Sequence, residues 1–135
     1  MTFGNGVNQA SEQFAISNGV VPILTPGKAT GGGAISGATF GFNADSDTKG
    51  LKGVCEVMVG PHVVHCVDVT TYTQSGNRAT FSGDAVVDGV AARYTIDVTD
   101  NGEPGIGKDT FSIVTSAGVS DSGVLTAGNI QVHQT

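Results

Sequence analysis

Two runs of alternating apolar and polar residues, joined by the dipeptide Asp88-Gly89, constrain the fold of this chain more than any other feature. The runs "RATFSGDAVV" (78–87) and "VAARYTIDVT" (90–99) alternate with period two, which places the apolar side chains of each on one face of a strand. Asp-Gly between such runs favours a two-residue hairpin turn, so the two strands are predicted to pair. Their predicted core side chains are Ala79, Phe81, Ala85, Val87, Ala92, Tyr94, Ile96 and Val98. Gly83, on the inward face, predicts either a bulge or a neighbouring ring against the backbone.

The same alternation continues along the chain, and no window shows a sustained helical stripe. Further strands are predicted at residues 20–24, 34–42, 51–59, 63–73, 110–115 and 123–132. About eight short antiparallel strands with glycine-rich connections predict a single-domain all-β fold, either a β-sandwich or a closed β-barrel. Residues 27–135 form the predicted domain. Residues 1–26 are expected to be an N-terminal extension, either an ordered edge strand or a mobile arm.

The charge balance and the apolar pattern limit the classes of partner. Twelve acidic and six basic residues give a formal net charge of −6, which repels phosphate backbones and anionic membranes, so nucleic acid is not an expected partner. No apolar run approaches the roughly 20 residues that span a bilayer. The first residues lack the basic start and apolar region of a signal peptide. We therefore expect either a cytoplasmic protein or an exported one whose leader is not in this sequence.

Cys55 and Cys66 flank a predicted turn at Gly60-Pro61. A tight turn there places the two cysteines directly opposite each other on neighbouring strands. Opposed residues of a non-hydrogen-bonded antiparallel pair lie about 4.5 Å apart at Cα, at the short end of what a disulfide accepts. The residues alone allow either a cross-strand disulfide or two reduced, partly buried thiols. A disulfide would indicate an oxidising compartment and hence secretion.

The loop "DNGEPGIGKD" (100–109) has two interpretations. In the first it is a turn: its Asp and Asn side chains bond the local backbone, Gly102 and Gly105 take positive φ, and Pro104 sets φ for a turn. In the second, several side-chain oxygens converge on a calcium ion, which prefers such ligands. The candidate calcium ligands are Asp100, Asn101, Glu103 and Asp109.

Other residues give weaker indications of a site. The stretch "NADSDTKG" (43–50) spaces its acidic residues like a calcium loop, but it lacks the distal glutamate of that motif. His62 and His65 are three residues apart, so their side chains are expected to point to different faces, which disfavours a zinc pair. No nucleophile motif such as G-x-S-x-G is present. The sequence therefore assigns no catalytic residue, and calcium is the one candidate cofactor.

Three stretches (27–44, 53–113 and 123–133) together resemble a known family. They contain, in order, a glycine-rich start, an FGF strand, a cysteine pair around a turn, an ATFSG strand, the DNGEPG loop and a final GNIQVH strand. This order resembles the post-COAP-1 type domain of bacterial secreted and surface proteins. The resemblance implies an exported all-β module with a disulfide between Cys55 and Cys66. It implies no reaction and no catalytic residues.

Three classes of function fit these observations. The leading one is a non-enzymatic extracellular β module with a structural, adhesive or surface-binding role, whose partner is a protein or a cell-wall or surface polymer. The second is a self-assembling subunit, in which "FAISNGVVPIL" (14–24) adds a strand to the exposed sheet edge of a neighbour. The third is a small carbohydrate-active enzyme or binder, which needs exposed aromatic rings. The chain has no Trp, and its predicted core takes Phe40, Phe42, Phe81, Phe111 and Tyr94.

Overall fold

The structure, a computed structural model, describes residues 26–133 as an all-β protein with 71% of those residues in strands. This confirms the predicted fold class at the level of an antiparallel all-β protein. The predicted strand 20–24 and the segment 14–24 lie outside the described residues. The strands are β1 (Gly27–Ile35), β2 (Ala38–Asp47), β3 (Gly50–Val59), β4 (His62–Cys66), β5 (Thr71–Ser75), β6 (Arg78–Val87), β7 (Val90–Thr99), β8 (Thr110–Thr115), β9 (Ser120–Val124) and β10 (Ala127–His133).

The ten strands form one antiparallel sheet that curls into a half-barrel. The strand order is β10-β1-β2-β3-β4-β6-β7-β8-β9, and β5 pairs with β6 beside β4. Strands β9 and β10 lie at opposite ends of this order, although only Leu125 and Thr126 separate them in the chain. The curl therefore brings the two ends of the sheet together. Thr126 N donates a hydrogen bond to Ala34 O at 2.8 Å, which fixes this connection to β1.

The β6–β7 and β3–β4 hairpins have the predicted register. Val87 pairs with Val90, and both intervening residues have positive φ, 50° at Asp88 and 84° at Gly89. In the β3–β4 hairpin, Cys55 pairs with Cys66 and forms a disulfide across a Cα–Cα distance of 4.8 Å. These findings confirm the two local predictions.

Three of the seven predicted strands that fall within the described residues are each divided in two, which gives the ten strands of the sheet. The run 34–42 contains the turn between β1 and β2, and the run 123–132 contains the connection between β9 and β10. The run 63–73 is interrupted at residues 67–70. There, Val67 N donates to Asp84 O and Thr70 N donates to Ser82 O, so the chain stays against β6 between β4 and β5.

Strand β1 lies mostly in a stretch predicted to be a glycine-rich connection. Its glycines meet a packing requirement instead: a Cβ at Gly31 would come within 2.9 Å of side-chain atoms of both Ile130 and Phe42. Likewise, Asn43–Asp47 of the predicted loop 43–50 belongs to β2, and the turn is confined to Thr48-Lys49. The prediction of a loop over 43–50 is therefore wrong for most of its length, because residues 43–47 pair with β3; calcium binding there stays a prediction.

The buried side chains lie on the inner face of the curled sheet. All the predicted core residues of β6 and β7 are buried except Ala92, which is half-buried and packs against the core. Gly83 is part of an unbroken ladder opposite Tyr94, so the predicted bulge is absent. Its nearest neighbour is Asp68: a Cβ at Gly83 would collide with the carbonyl of Asp68, which accepts a hydrogen bond from Tyr94 Oη at 2.7 Å.

Candidate functional site

The loop 100–109 connects β7 to β8, and the carboxylate of Asp109 holds it in place. Asp109 is fully buried. Its Oδ1 accepts hydrogen bonds from the backbone N–H groups of Asn101 at 2.7 Å and Gly102 at 3.3 Å. Its Oδ2 accepts one from Ile130 N, in β10, at 2.9 Å. A single side chain therefore organises the loop and joins it to the last strand.

Asp100 makes a second connection of the same kind. Its Oδ2 accepts a hydrogen bond from Val132 N at 3.1 Å. The N–H groups of Ile130 and Val132, which belong to alternate residues of β10, thus bond to carboxylates instead of a neighbouring strand. Buried backbone donors need such partners, and bonds to ionised carboxylates are stronger than neutral ones. We refer to Asp100 and Asp109 together as the carboxylate bridge.

The glycines of this loop have a different role from the predicted one. Neither Gly102 nor Gly105 has positive φ; the loop glycine with positive φ is Gly107, at 77°. Gly105 is buried, and a Cβ on it would collide with Asp109 Oδ2 and lie 2.6 Å from Asn129 Oδ1. Close packing, and not backbone conformation, explains glycine at 105. Pro104 lies in the loop as predicted and follows a cis peptide bond.

Each of the candidate calcium ligands already accepts a hydrogen bond within the protein. Both carboxylates of the carboxylate bridge accept backbone N–H groups, Glu103 Oε1 accepts a hydrogen bond from Gln131 Nε2 at 3.4 Å, and Asn101 Oδ1 accepts one from Asn77 Nδ2 at 2.6 Å. Within residues 26–133, no three His, Cys, Asp or Glu side chains are placed to hold a metal ion. Calcium binding by this loop stays a prediction.

The two histidines on β4 contact different carboxylates. His62 Nδ1 lies 2.6 Å from Asp88 Oδ2, and Val63 N donates to Asp88 Oδ1 at 2.8 Å, so Asp88 joins the β6–β7 turn to the start of β4. The hydrogen bonds from Val63 and from His62 lower the pKa of Asp88. His65 Nδ1 lies 3.1 Å from Glu56 Oε1 across β3 and β4.

The outer face of β1, β2 and β3 carries a solvent-open depression of about 680 Å³. The pairing register places its side chains in two rows across the three strands. Because residues two apart on a strand share a face, both rows point outward. The first row is Lys28, Asp45 and Lys52, and the second is Thr30, Asn43 and Val54.

A second depression of about 400 Å³ continues from the first, since Asn43 and Val54 line both. In the next row, Gly32 pairs with Gly41 and provides a floor without side chains. A Cβ at Gly41 would have no neighbour within 4 Å. The two depressions form one groove along β2 from Asp45 to Gly41, about 14 Å long at 3.4 Å per residue. We call it the β1–β3 groove; Glu56 and His65 flank its far end.

The groove residues were not identified from the sequence, because Lys28 and Thr30 lie in a predicted connection and Asn43 and Asp45 in a predicted loop. The alternation of small and polar residues in "GKATGG" (27–32) was the available signal. The aromatic prediction is confirmed within the described residues: every Phe and Tyr from 26 to 133 is buried. The groove therefore offers ammonium, amide, hydroxyl and carboxylate groups but no aromatic ring.

Comparison of the chain with protein-family models, with curated proteins and with solved structures gave no match. The likeness to the post-COAP-1 type domain stays a prediction. The described part of the chain contains no helix of the length and apolar character needed to cross a membrane.

Proposed function

We propose that this protein is a non-enzymatic extracellular β module with a surface-binding role, and that its partner is a cell-wall or surface polymer. The β1–β3 groove carries the proposal, because it is an open depression on a sheet face that combines polar side chains with the apolar side chain of Val54. The Cys55–Cys66 disulfide supports export, since such bonds persist in oxidising compartments. The order of motifs that resembles the post-COAP-1 type domain supports the same role.

A sedimentation assay with insoluble bacterial cell walls tests the polymer-binding role. The folded protein is expected to leave the supernatant in proportion to the amount of wall added. The same protein, reduced and heat-denatured, controls for non-specific adsorption. Retention of all the folded protein in the supernatant, with several wall preparations, would contradict the proposal.

A test of export uses the disulfide itself. The intact mass of protein isolated from its native source should rise by two hydrogens on reduction. Equal masses before and after reduction would remove the main physical argument for an extracellular location.

Self-assembly is the second candidate function, and the edges of two strands favour it. Strand β3 pairs along its whole length with β2, but with β4 only from Cys55 onward. Strand β5 pairs with β6 alone within the described residues. Unpaired edges accept an added strand. Light scattering with size-exclusion chromatography should then show an oligomer of the full chain that is lost when residues 1–26 are removed; a monomer in both cases would exclude it.

A further inference from the structure

We propose that the β1–β3 groove binds an acidic polysaccharide, and that Lys28 and Lys52 pair with carboxylates of the bound chain. This inference rests on the surface-binding role proposed above, and it adds the site and the chemical class of the ligand. Three properties of the groove carry it: its shape, its charges and its hydrogen-bonding groups.

The shape of the groove fits an extended polymer better than a small molecule. The groove follows β2 for about 14 Å and is open to solvent along that length. Its floor at Gly32 and Gly41 has no side chains, so a bound polymer can lie close to the sheet backbone. A face of a paired sheet offers no free backbone donors, which disfavours a peptide that binds by strand addition.

The two lysines of the groove can pair with an anionic ligand, although Asp45 lies between them in the same row and the whole chain carries a net charge of −6. The two arginines are already engaged, Arg78 with Asp97 and Arg93 with Asp84. Lys28 and Lys52 are exposed, and no carboxylate of the described residues lies within ion-pair distance of either. Two strand spacings separate them, about 10 Å, so they can contact two different charged units of one polymer.

The groups between the lysines favour a ligand rich in hydroxyls. Asp45 accepts hydrogen bonds, while Thr30 and Asn43 both donate and accept them. A saccharide presents hydroxyls that satisfy all three. A polyphosphate offers mainly acceptors, so it provides fewer hydrogen-bond donors for the carboxylate of Asp45 than a saccharide does. Because no aromatic ring is available for stacking, we expect weak binding per site, strengthened where one polymer engages several protein molecules.

Titration of the folded protein with polygalacturonate fragments, with neutral maltodextrins of matched length as reference, tests the inference. We expect binding of the acidic fragments alone, and a weaker affinity as NaCl rises. Lys28→Gln and Lys52→Gln should each weaken it by at least about tenfold, equivalent to 1.4 kcal/mol. Lys108→Gln makes the same charge change in the loop 100–109, at a residue that does not line the groove, and should leave the affinity unchanged.

A variant that fills the groove without changing its charge separates position from charge. Gly41→Leu adds a side chain where the structure has open space and requires no positive φ. It should fold with an unchanged melting temperature and lose binding. The groove would be overturned as the site if Gly41→Leu bound the acidic fragments as tightly as Lys108→Gln does. The same would hold if the two groove lysine variants did so. Equal affinity for the neutral dextrins would overturn the ligand class.

The outcomes also separate this inference from the function on which it rests. If the protein sediments with cell walls but binds no polygalacturonate, the acidic saccharide is wrong and the surface-binding role stands. If it binds neither walls nor polysaccharide, both fail. If phosphate polymers bind as well as polygalacturonate does, the argument from hydroxyl groups is refuted.

Discussion

Replacement of Asp109 by asparagine tests whether the carboxylate bridge holds the last strand in place. The change keeps the size of the side chain and removes its charge. One amide oxygen can still accept from Asn101 N and Gly102 N, but an NH2 group then replaces Oδ2, the acceptor of Ile130 N. Two donors would face each other in a buried place. The variant therefore loses a charge-assisted bond and leaves a buried N–H without a partner.

The size of the effect follows from these two losses. A hydrogen bond to a charged group contributes about 1.5–3 kcal/mol, and an unsatisfied buried donor costs about 1–3 kcal/mol. The two overlap, so we expect Asp109→Asn to lower the free energy of unfolding by about 3 kcal/mol. For a domain of this size, that corresponds to a decrease in melting temperature of about 10 °C.

Urea denaturation followed by circular dichroism measures this change, and Asp97→Asn is the matched control. Asp97 pairs with Arg78 at the surface, where such pairs contribute about 0–1 kcal/mol. Hydrogen exchange adds a local readout, because the amide of Ile130 should lose protection in Asp109→Asn and keep it in Asp97→Asn. Equal stability of the two variants would refute the role assigned to the carboxylate bridge.

Four further predictions follow from the geometry. Gly105→Ala should destabilise the protein by about 1–3 kcal/mol through overpacking. In Gly102→Ala the nearest neighbour of the new Cβ is the flexible Lys108 side chain, so the unfolding free energy should change by less than about 0.5 kcal/mol. A larger loss of stability in Gly102→Ala than in Gly105→Ala, measured by urea denaturation, would contradict the packing argument. Removal of the disulfide, in a Cys55→Ser, Cys66→Ser double variant, should cost about 2–3 kcal/mol in the same assay, and an unchanged midpoint would argue against it. Because the pKa of Asp88 is lowered in the folded state, its ionised form adds stability at neutral pH that is lost as the pH falls below about 4. In Asp88→Asn the melting temperature should therefore fall less steeply between about pH 4 and 2. The same dependence of melting temperature on pH in both proteins would contradict this. Chelation of calcium should leave the melting temperature unchanged, because backbone donors already bond the carboxylate bridge, and a clear drop would establish the calcium site.

The parts of the fold that were predicted from the sequence depend on local signals. The register of β6 with β7 follows from period-two alternation and from an Asp-Gly turn, which act within about 20 residues. The opposition of Cys55 and Cys66 likewise needs only the position of one turn. Each of these signals is complete within a single hairpin, so no knowledge of the rest of the chain was required.

Strand β1 was missed because the reason for its glycines is distant in sequence. Gly31 meets Ile130 of β10, about a hundred residues later. Without that neighbour, a glycine run has the composition of a loop. The interruption at residues 67–70 was missed for a similar reason, since hydrogen bonds to β6 keep that segment between β4 and β5.

The candidate sites depended on distant partners in the same way. The residues of the loop 100–109 were identified, but the bonding partners of Asp100 and Asp109 in β10 were not. The sequence therefore favoured a turn and kept calcium binding as the alternative. The β1–β3 groove needs the register of three strands before Lys28, Asp45 and Lys52 form a row. Charged residues scattered over 25 positions become one surface only after the sheet has formed.

The carboxylate bridge also affects how copies of this protein meet at high concentration. An exposed strand edge recruits further strands and begins fibrous aggregation. At β10, the outward N–H groups of Ile130 and Val132 already donate hydrogen bonds to the carboxylates of Asp109 and Asp100. An incoming strand would have to displace both carboxylates from these N–H groups, which disfavours growth of the sheet on this side. Ordered growth of the sheet is therefore left to the other strand edges that have no partner within the described residues, those of β3, β5 and β9.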